Sequence, residues 1–219
     1  MQGWGRDDIA RRAAQDIQDG WFVNLGIGLP TTVGNYLPAD REIVLHSENG
    51  ILGMGGMVPP GAEDHWTVNA GKQYITLLPG ASFFHHADSF AMVRGGHLDL
   101  TIMGAYQVAE NGDLANWSAG DAIPGVGGAM DLARGAKAVW IVTEHVTKSG
   151  ESKLRHRCSF DLTAPNCVNR IYTNLGVFEP AGHAFLVREM APGVTLEQIR
   201  ASTEGRVEVP ESLQSKPRA

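Results

Sequence analysis

The sequence predicts an α/β protein built on a mainly parallel sheet. Residues 21–46 run strand, glycine turn, helix, strand, the order of a parallel βαβ unit. Two further glycine-containing turns follow other strand candidates, one near residue 48 and one near residue 127. The composition agrees: 219 residues that are 43% hydrophobic and 19% charged suit one folded domain, not a disordered chain.

Each element has a local reason. Asp7 and Asp8 precede Ile9, Ala10, Ala13, Ala14 and Ile17. This is helical spacing with acids at the positive end of the dipole, stopped at Gly20. Residues 21–25 read as a buried strand, and Pro30 suits the first turn of a helix reaching residue 37. Residues 43–46 form a second strand. Glycines and polar residues crowd 50–71, which predicts a long functional loop. A strand at 74–78 follows. Phe83, Phe84, Ala87, Phe90 and Ala91 stand at helical spacing in a helix predicted over 82–94. Residues 98–103 and 138–143 are strands. Between them lie a turn with a short extended piece at 112–117 and a glycine turn at 125–128 opening a short helix at 129–133. Shorter pieces occupy 154–162, 169–178 and 184–190, and Thr195 caps a last helix over 196–201. The domain spans residues 1–205, and a loose, charged tail is expected over 206–219.

Charge and composition exclude several classes. The net charge is −6 and no basic patch is visible, which argues against nucleic acid. No run approaches the roughly 20 apolar residues of a membrane span, and residues 1–16 lack a signal-peptide pattern. A cytoplasmic protein is expected. Cys158 and Cys167 form no CxxC pair, so neither a disulfide framework nor a zinc site is expected. His85 and His86 are adjacent and point to different sides of a helix, which speaks against joint metal binding.

Three turns are candidates for chemistry, because ligands of open parallel sheets bind at the carboxyl ends of strands. Gly26 and Gly28 after a strand suggest a dinucleotide fingerprint, with Glu48 as the ribose-binding acid. Thr31 at the third glycine position and Pro30 inside the turn weaken that reading. Glu48 lies between an apolar strand and a glycine-rich loop, where it reads either as a covalent nucleophile or as a solvated surface acid. Gly127 and Gly128 precede a helix and read either as oxyanion donors or as a close helix–strand contact. The residues alone leave these alternatives open.

The segment Leu45-His46-Ser47-Glu48-Asn49-Gly50-Ile51-Leu52-Gly53 resembles the active-site signature of the family I coenzyme A transferases. Asn24-Leu25-Gly26-Ile27-Gly28, Asn69-Ala70-Gly71-Lys72, Gly112-Asp113-Leu114-Ala115-Asn116-Trp117 and Gly127-Gly128-Ala129-Met130-Asp131-Leu132 also match, in the family's order. The resemblance runs from about Ala10 to about Ser202 and lies with the β (B-type) subunit of 3-oxoacid CoA-transferases. The stretches at 83–90, 123–128 and 147–154 look most like the 3-oxoadipate branch. Gly55-Gly56 departs from the Gly-Pro of many relatives, which bears on loop shape.

The resemblance implies the three-layer α/β fold of that superfamily. It makes Glu48 the nucleophile that takes CoA from succinyl-CoA through a mixed anhydride and a glutamyl-CoA thioester, then passes it to a 3-oxo acid. 3-Oxoadipate is the first expectation for the acceptor and acetoacetate the second. Gly128 is implied as an oxyanion donor, and Asn24, Gly26, Gly28, Asn49, Lys72 and Gly127 as substrate- or CoA-binding positions. His85 or His86 is a candidate for reading the acceptor's second carboxylate. Coenzyme A is expected as co-substrate, with no permanently bound cofactor. A separate CoA-transferase α subunit is expected as partner in an α2β2 assembly. A carboxylate nucleophile requires no general base, in keeping with the lack of a Ser–His–Asp pattern; a nicotinamide-dependent oxidoreductase is the distant alternative.

Overall fold

Five short apolar runs supply parallel strands at the centre of the computed structural model, which describes residues 3–119 and 125–210. In chain order the elements are helix α1 (Arg6–Asp16), strand β1 (Phe22–Leu25), helix α2 (Leu29–Thr32) with a 3-10 turn (Val33–Tyr36), and strands β2 (Val44–Ser47), β3 (Ile51–Met57) and β4 (Ile75–Phe83). Helix α3 (His86–Arg94), strands β5 (Leu100–Met103), β6 (Gln107–Ala109) and β7 (Leu114–Ala115), helix α4 (Ala129–Gly135) and strand β8 (Ala138–Val142) follow. The rest comprises β9 (Leu154–Arg155), β10 (Arg170–Thr173), β11 (Gly176–Pro180), β12 (Phe185–Met190), α5 (Leu196–Ser202) and β13 (Val207–Glu208).

The main sheet has the order β13-β12-β11-β10-β8-β5-β1-β2-β3-β4. Its centre, β10-β8-β5-β1-β2, is parallel. Antiparallel pairs β2–β3 and β3–β4 extend one side, and β10–β11 and β11–β12 the other. From β1 the chain steps outward to β2 and then returns to β5 on the opposite side. The strand order therefore reverses between β1 and β5, and a crevice opens there at the carboxyl ends. β7, β6 and β9 make a separate small sheet.

Burial on both faces explains why the central strands read as continuous apolar runs. In β8, Val139 and Ile141 enter one core while Trp140 and Val142 enter the other, the period-2 alternation of a strand. On the Trp140 face α1 packs Ile9, Ala10, Ala13 and Ala14 with Val33 and Tyr172. The other face is covered by α3, α4, the small sheet and α5, through Val93, Leu132, Leu154 and Ile199. The result is three layers. Ile9, Ile17, Leu100 and Ile141 are fully buried, and each such side chain contributes about 1.5–3 kcal/mol.

Three sequence expectations change. The loop expected over 50–71 begins with β3, paired to β2 through His46↔Leu52. Gly53, Gly55 and Gly56 conceal this strand from propensity; at Gly53 the backbone has φ +81°, and a Cβ would lie 3.1 Å from Ala81 Cα. The helix expected from residue 82 starts at His86, because Ser82 and Phe83 still pair with Leu52 and Ile51. His85 is its cap, its Nδ1 accepting from the Ala87 N–H at 3.1 Å. At the C-terminus Val207–Glu208 pairs with Phe185–Leu186, so the expected tail opens with a strand. Residues 211–219, and residues 123–124 of the 3-oxoadipate-like stretch, lie outside the described residues.

Candidate active site

The parallel register builds the site. Asn24 of β1 stands beside His46 of β2 and beside Thr101 of β5, so three polar side chains line up across three adjacent strands. All three are buried. Glu48 lies two residues beyond His46, at the start of the turn that follows β2. The Asn24 Nδ2 group donates to Glu48 Oε2 at 2.8 Å and approaches His46 Nδ1 and the His46 carbonyl at 3.3 Å each. Thr101 Oγ1 donates to Asn24 Oδ1 at 3.3 Å. His46 Nε2 lies 2.8 Å from Ser89 Oγ on α3.

Burial lowers the His46 pKa to about 4, so its ring is neutral at pH 7. With Nδ1 accepting from Asn24, Nε2 carries the ring proton and donates to Ser89. The network thus places a neutral amide donor, and no second charge, against the half-buried Glu48 carboxylate.

The backbone holds Glu48 from the other side. The Gly50 N–H donates to the Ser47 carbonyl at 2.9 Å, and the Phe84 N–H donates to the Gly50 carbonyl at 3.0 Å. Gly50 has φ +116°, and a Cβ there would lie 2.2 Å from the Phe84 carbonyl oxygen. Only glycine fits both demands. Ser47 Oγ accepts from the Ala70 N–H at 2.9 Å, and Asn49 Nδ2 donates to the Val68 carbonyl at 2.7 Å. These bonds fasten the 67–73 loop beneath the Glu48 turn.

Glu48 opens into a cleft of about 570 Å³ at the β1/β5 reversal, with Gly26, Gly104, Gly127 and Gly128 in its lining. That volume is in the range of small-molecule sites. At Gly128 a Cβ would meet the Phe90 ring at 2.5 Å, so close packing of α3 against the turn requires glycine there. Among the described residues no backbone acceptor takes the Gly127 or Gly128 N–H. The close contact and the open amides therefore coexist.

The structure brings together Glu48, Asn24, Gly26, Gly127 and Gly128, but not every expected position. Asn49 braces a loop, Lys72 sits at φ +62° in the Asn69–Gln73 turn, and Gly28 precedes α2. None of these three lines the cleft. Nor do the proposed carboxylate readers: His85 caps α3, and the His86 ring lies 4.9 Å from that of Phe90. Sequence reasoning missed His46, Ser89, Thr101 and the cleft residue Lys153. The available signal was a polar residue inside an apolar strand run, as at Thr101. No group of metal-binding side chains occurs among the described residues, and none of their helices is long and apolar enough to cross a membrane.

Comparison with known proteins decides the family. A coenzyme A transferase family model matches residues 6–202. The chain is 54% identical over 200 residues to the B-type subunit of 3-oxoadipate CoA-transferase from Acinetobacter baylyi, covering 90% of this chain and 92% of that protein. It is 49% identical over 205 residues to the B-type subunit of succinyl-CoA:3-ketoacid coenzyme A transferase from Helicobacter pylori, covering 93% and 99%. The crystal structure of an acyl-CoA transferase from Escherichia coli O157:H7 superposes with a TM-score of 0.75 at 20% identity, covering 94% of this chain and 42% of that one; this likeness speaks for the fold. The match leaves the nicotinamide reading of the first glycine turn without support. From Arg6 to Ser202, the chain belongs to the coenzyme A transferase family.

Proposed function

We propose that this chain is the catalytic β subunit of a CoA-transferase that moves CoA from succinyl-CoA to a 3-oxo acid, with 3-oxoadipate as acceptor. The observation that carries this reading is the Glu48 carboxylate, fixed by Asn24 at 2.8 Å and opening into the glycine-lined cleft. The similarity to B-type subunits supports a separate α chain as partner; an α2β2 assembly is part of the proposal.

In this mechanism a Glu48 oxygen attacks the thioester carbonyl of succinyl-CoA. The carbonyl electron pair moves to oxygen, and an amide such as Gly128 N–H stabilises the oxyanion, a contribution of roughly 3 kcal/mol. Collapse breaks the C–S bond and releases CoA thiolate, leaving a glutamyl–succinyl anhydride. The thiolate attacks the Glu48 carbonyl and expels succinate, which gives glutamyl-CoA. The 3-oxo acid carboxylate repeats the steps in reverse and leaves as its CoA ester. No step moves a proton, so the neutral His46 serves by orienting Asn24. Anhydride and thioester both hydrolyse in water, so the cleft must be closed during turnover; the residues following β3 and the α chain supply that cover.

Intact mass after adding succinyl-CoA alone to the α–β complex tests the reading. The expected result is a CoA adduct on this chain, mapped to Glu48 and discharged by 3-oxoadipate. Discharge by acetoacetate alone would change the acceptor. No adduct on an assembled complex would overturn the mechanism.

A further inference from the structure

The lining of the cleft includes a cation that the reaction above leaves idle. Lys153 immediately precedes β9 and lines the cleft with Thr143 and Glu144, which follow β8, and with Arg6 of α1. Its Nζ donates to Thr143 Oγ1 at 2.8 Å. Among the described residues it makes no ion pair, whereas Lys137 is paired with Asp99 at 2.7 Å. An ammonium has three donors, and this one has two left for a ligand. Burial lowers the Lys153 pKa, and Arg6 adds to that effect while Glu144 opposes it. Glu144 offsets that burial only in part and without a contact ion pair, so an arriving anion adds to the offset.

The chemistry says which anion. The reacting carboxyl of the acyl group must lie at Glu48. A dicarboxylic chain, such as succinyl or 3-oxoadipyl, then carries its second carboxylate along the cleft and away from the anionic nucleophile. We infer that Lys153 is a specificity-determining residue that binds the distal carboxylate of a dicarboxylic acyl substrate. This rests on the transferase reading of Glu48. It also transfers to Lys153 the role expected of His85 or His86, neither of which lines the cleft.

The test uses Lys153→Met and Lys153→Arg in the α–β complex. For Lys153→Met, KM for 3-oxoadipate should rise about tenfold or more, the effect of losing a charged hydrogen bond. KM for acetoacetate, which has no second carboxylate, should stay within about twofold, and kcat should change little. Lys153→Arg should recover most of the loss. Equal losses with both acceptors, or equal rises in KM for succinyl-CoA and acetoacetyl-CoA, would assign Lys153 to CoA's phosphates and overturn the proposal; so would unchanged kinetics. Calorimetric titration of adipate and hexanoate, with no acyl-CoA present, supplies a readout independent of turnover. Adipate binding should weaken about tenfold in Lys153→Met, with hexanoate unaffected. Unchanged adipate binding overturns the proposal whether or not Glu48 carries CoA. A missing Glu48 adduct on the wild-type complex marks failure of the transferase reading alone.

Discussion

In the proposed mechanism Glu48 depends on its neighbours as much as on its own carboxylate. Glu48→Ala should abolish glutamyl-CoA and turnover while shifting unfolding by no more than about 0.5 kcal/mol, because Asn24 keeps its contacts to His46 and Thr101. Mass spectrometry and urea unfolding of the same preparation check both halves. Asn24 carries the opposite balance. Asn24→Ala leaves Thr101 and His46 short of a buried partner, so it should cost about 1–3 kcal/mol of stability and slow turnover as well. Asn24→Asp keeps the shape but sets a second carboxyl against Glu48. Like charges at that distance favour protonation, so the acidic limb of the turnover–pH profile should move to higher pH. An unmoved limb would show that the 2.8 Å contact does not govern Glu48.

The placing of the glycine turn is decided between elements, where α3 meets α4. The Phe90 ring occupies the space a Gly128 side chain would need, and Arg94 at the end of α3 pairs with Asp131 of α4 at 2.8 Å. That pair is exposed and screened by solvent, so it contributes little; the packing matters more. Gly128→Ala keeps the backbone N–H but overpacks the contact, so it should cost about 1–3 kcal/mol and reduce turnover. Adding Phe90→Leu should restore much of both, measured by urea unfolding and steady-state rate. Recovery of stability without turnover would show that the turn contributes more than its position. The same scale explains the misreading of β3 and of the second half of β4, whose first half the strand expected over 74–78 anticipates. Leu52 and Met54 alternate with glycines that cannot signal a strand, and β4 is mostly exposed, with Leu78 and Phe83 on the outside. A half-solvated hairpin lacks the buried pattern that made β5 and β8 legible.

Across the whole molecule, two buried histidines tie stability to pH. Burial lowers both His46 and His145 to about 4. His145 lies between Thr173 Oγ1 at 3.0 Å and Thr203 Oγ1 at 2.9 Å, joining β10 to the end of α5. In the unfolded chain a histidine protonates near pH 6.5. Between about 6.5 and about 4 the unfolded state therefore binds more protons than the folded state, and stability falls as pH falls. The loss is roughly 1.4 kcal/mol per pH unit for each histidine. Burial alone would raise Asp16 and Glu179, but hydrogen bonds and charges from Arg12, Tyr172, Arg170 and Arg188 hold them low. They add losses in the same direction at lower pH. Urea unfolding should therefore show a steep decline from pH 7 to pH 5, made shallower by His145→Gln. An equal slope in that variant would remove His145 from the account.

The sequence by itself determined the α/β class, the central strands and the family, because period, glycine placement and the 45–53 segment are local properties of the chain. It also singled out Glu48 and the turns on either side of the cleft. Only the tertiary structure decided which polar groups serve Glu48. The Asn24–His46–Thr101 row exists because three strands distant in sequence align in register, and nothing local encodes register between strands. The same reason separates Lys72 from the cleft and brings Lys153 into it: a side chain's neighbours are set by which strands cross beside it, and long-range pairing fixes that.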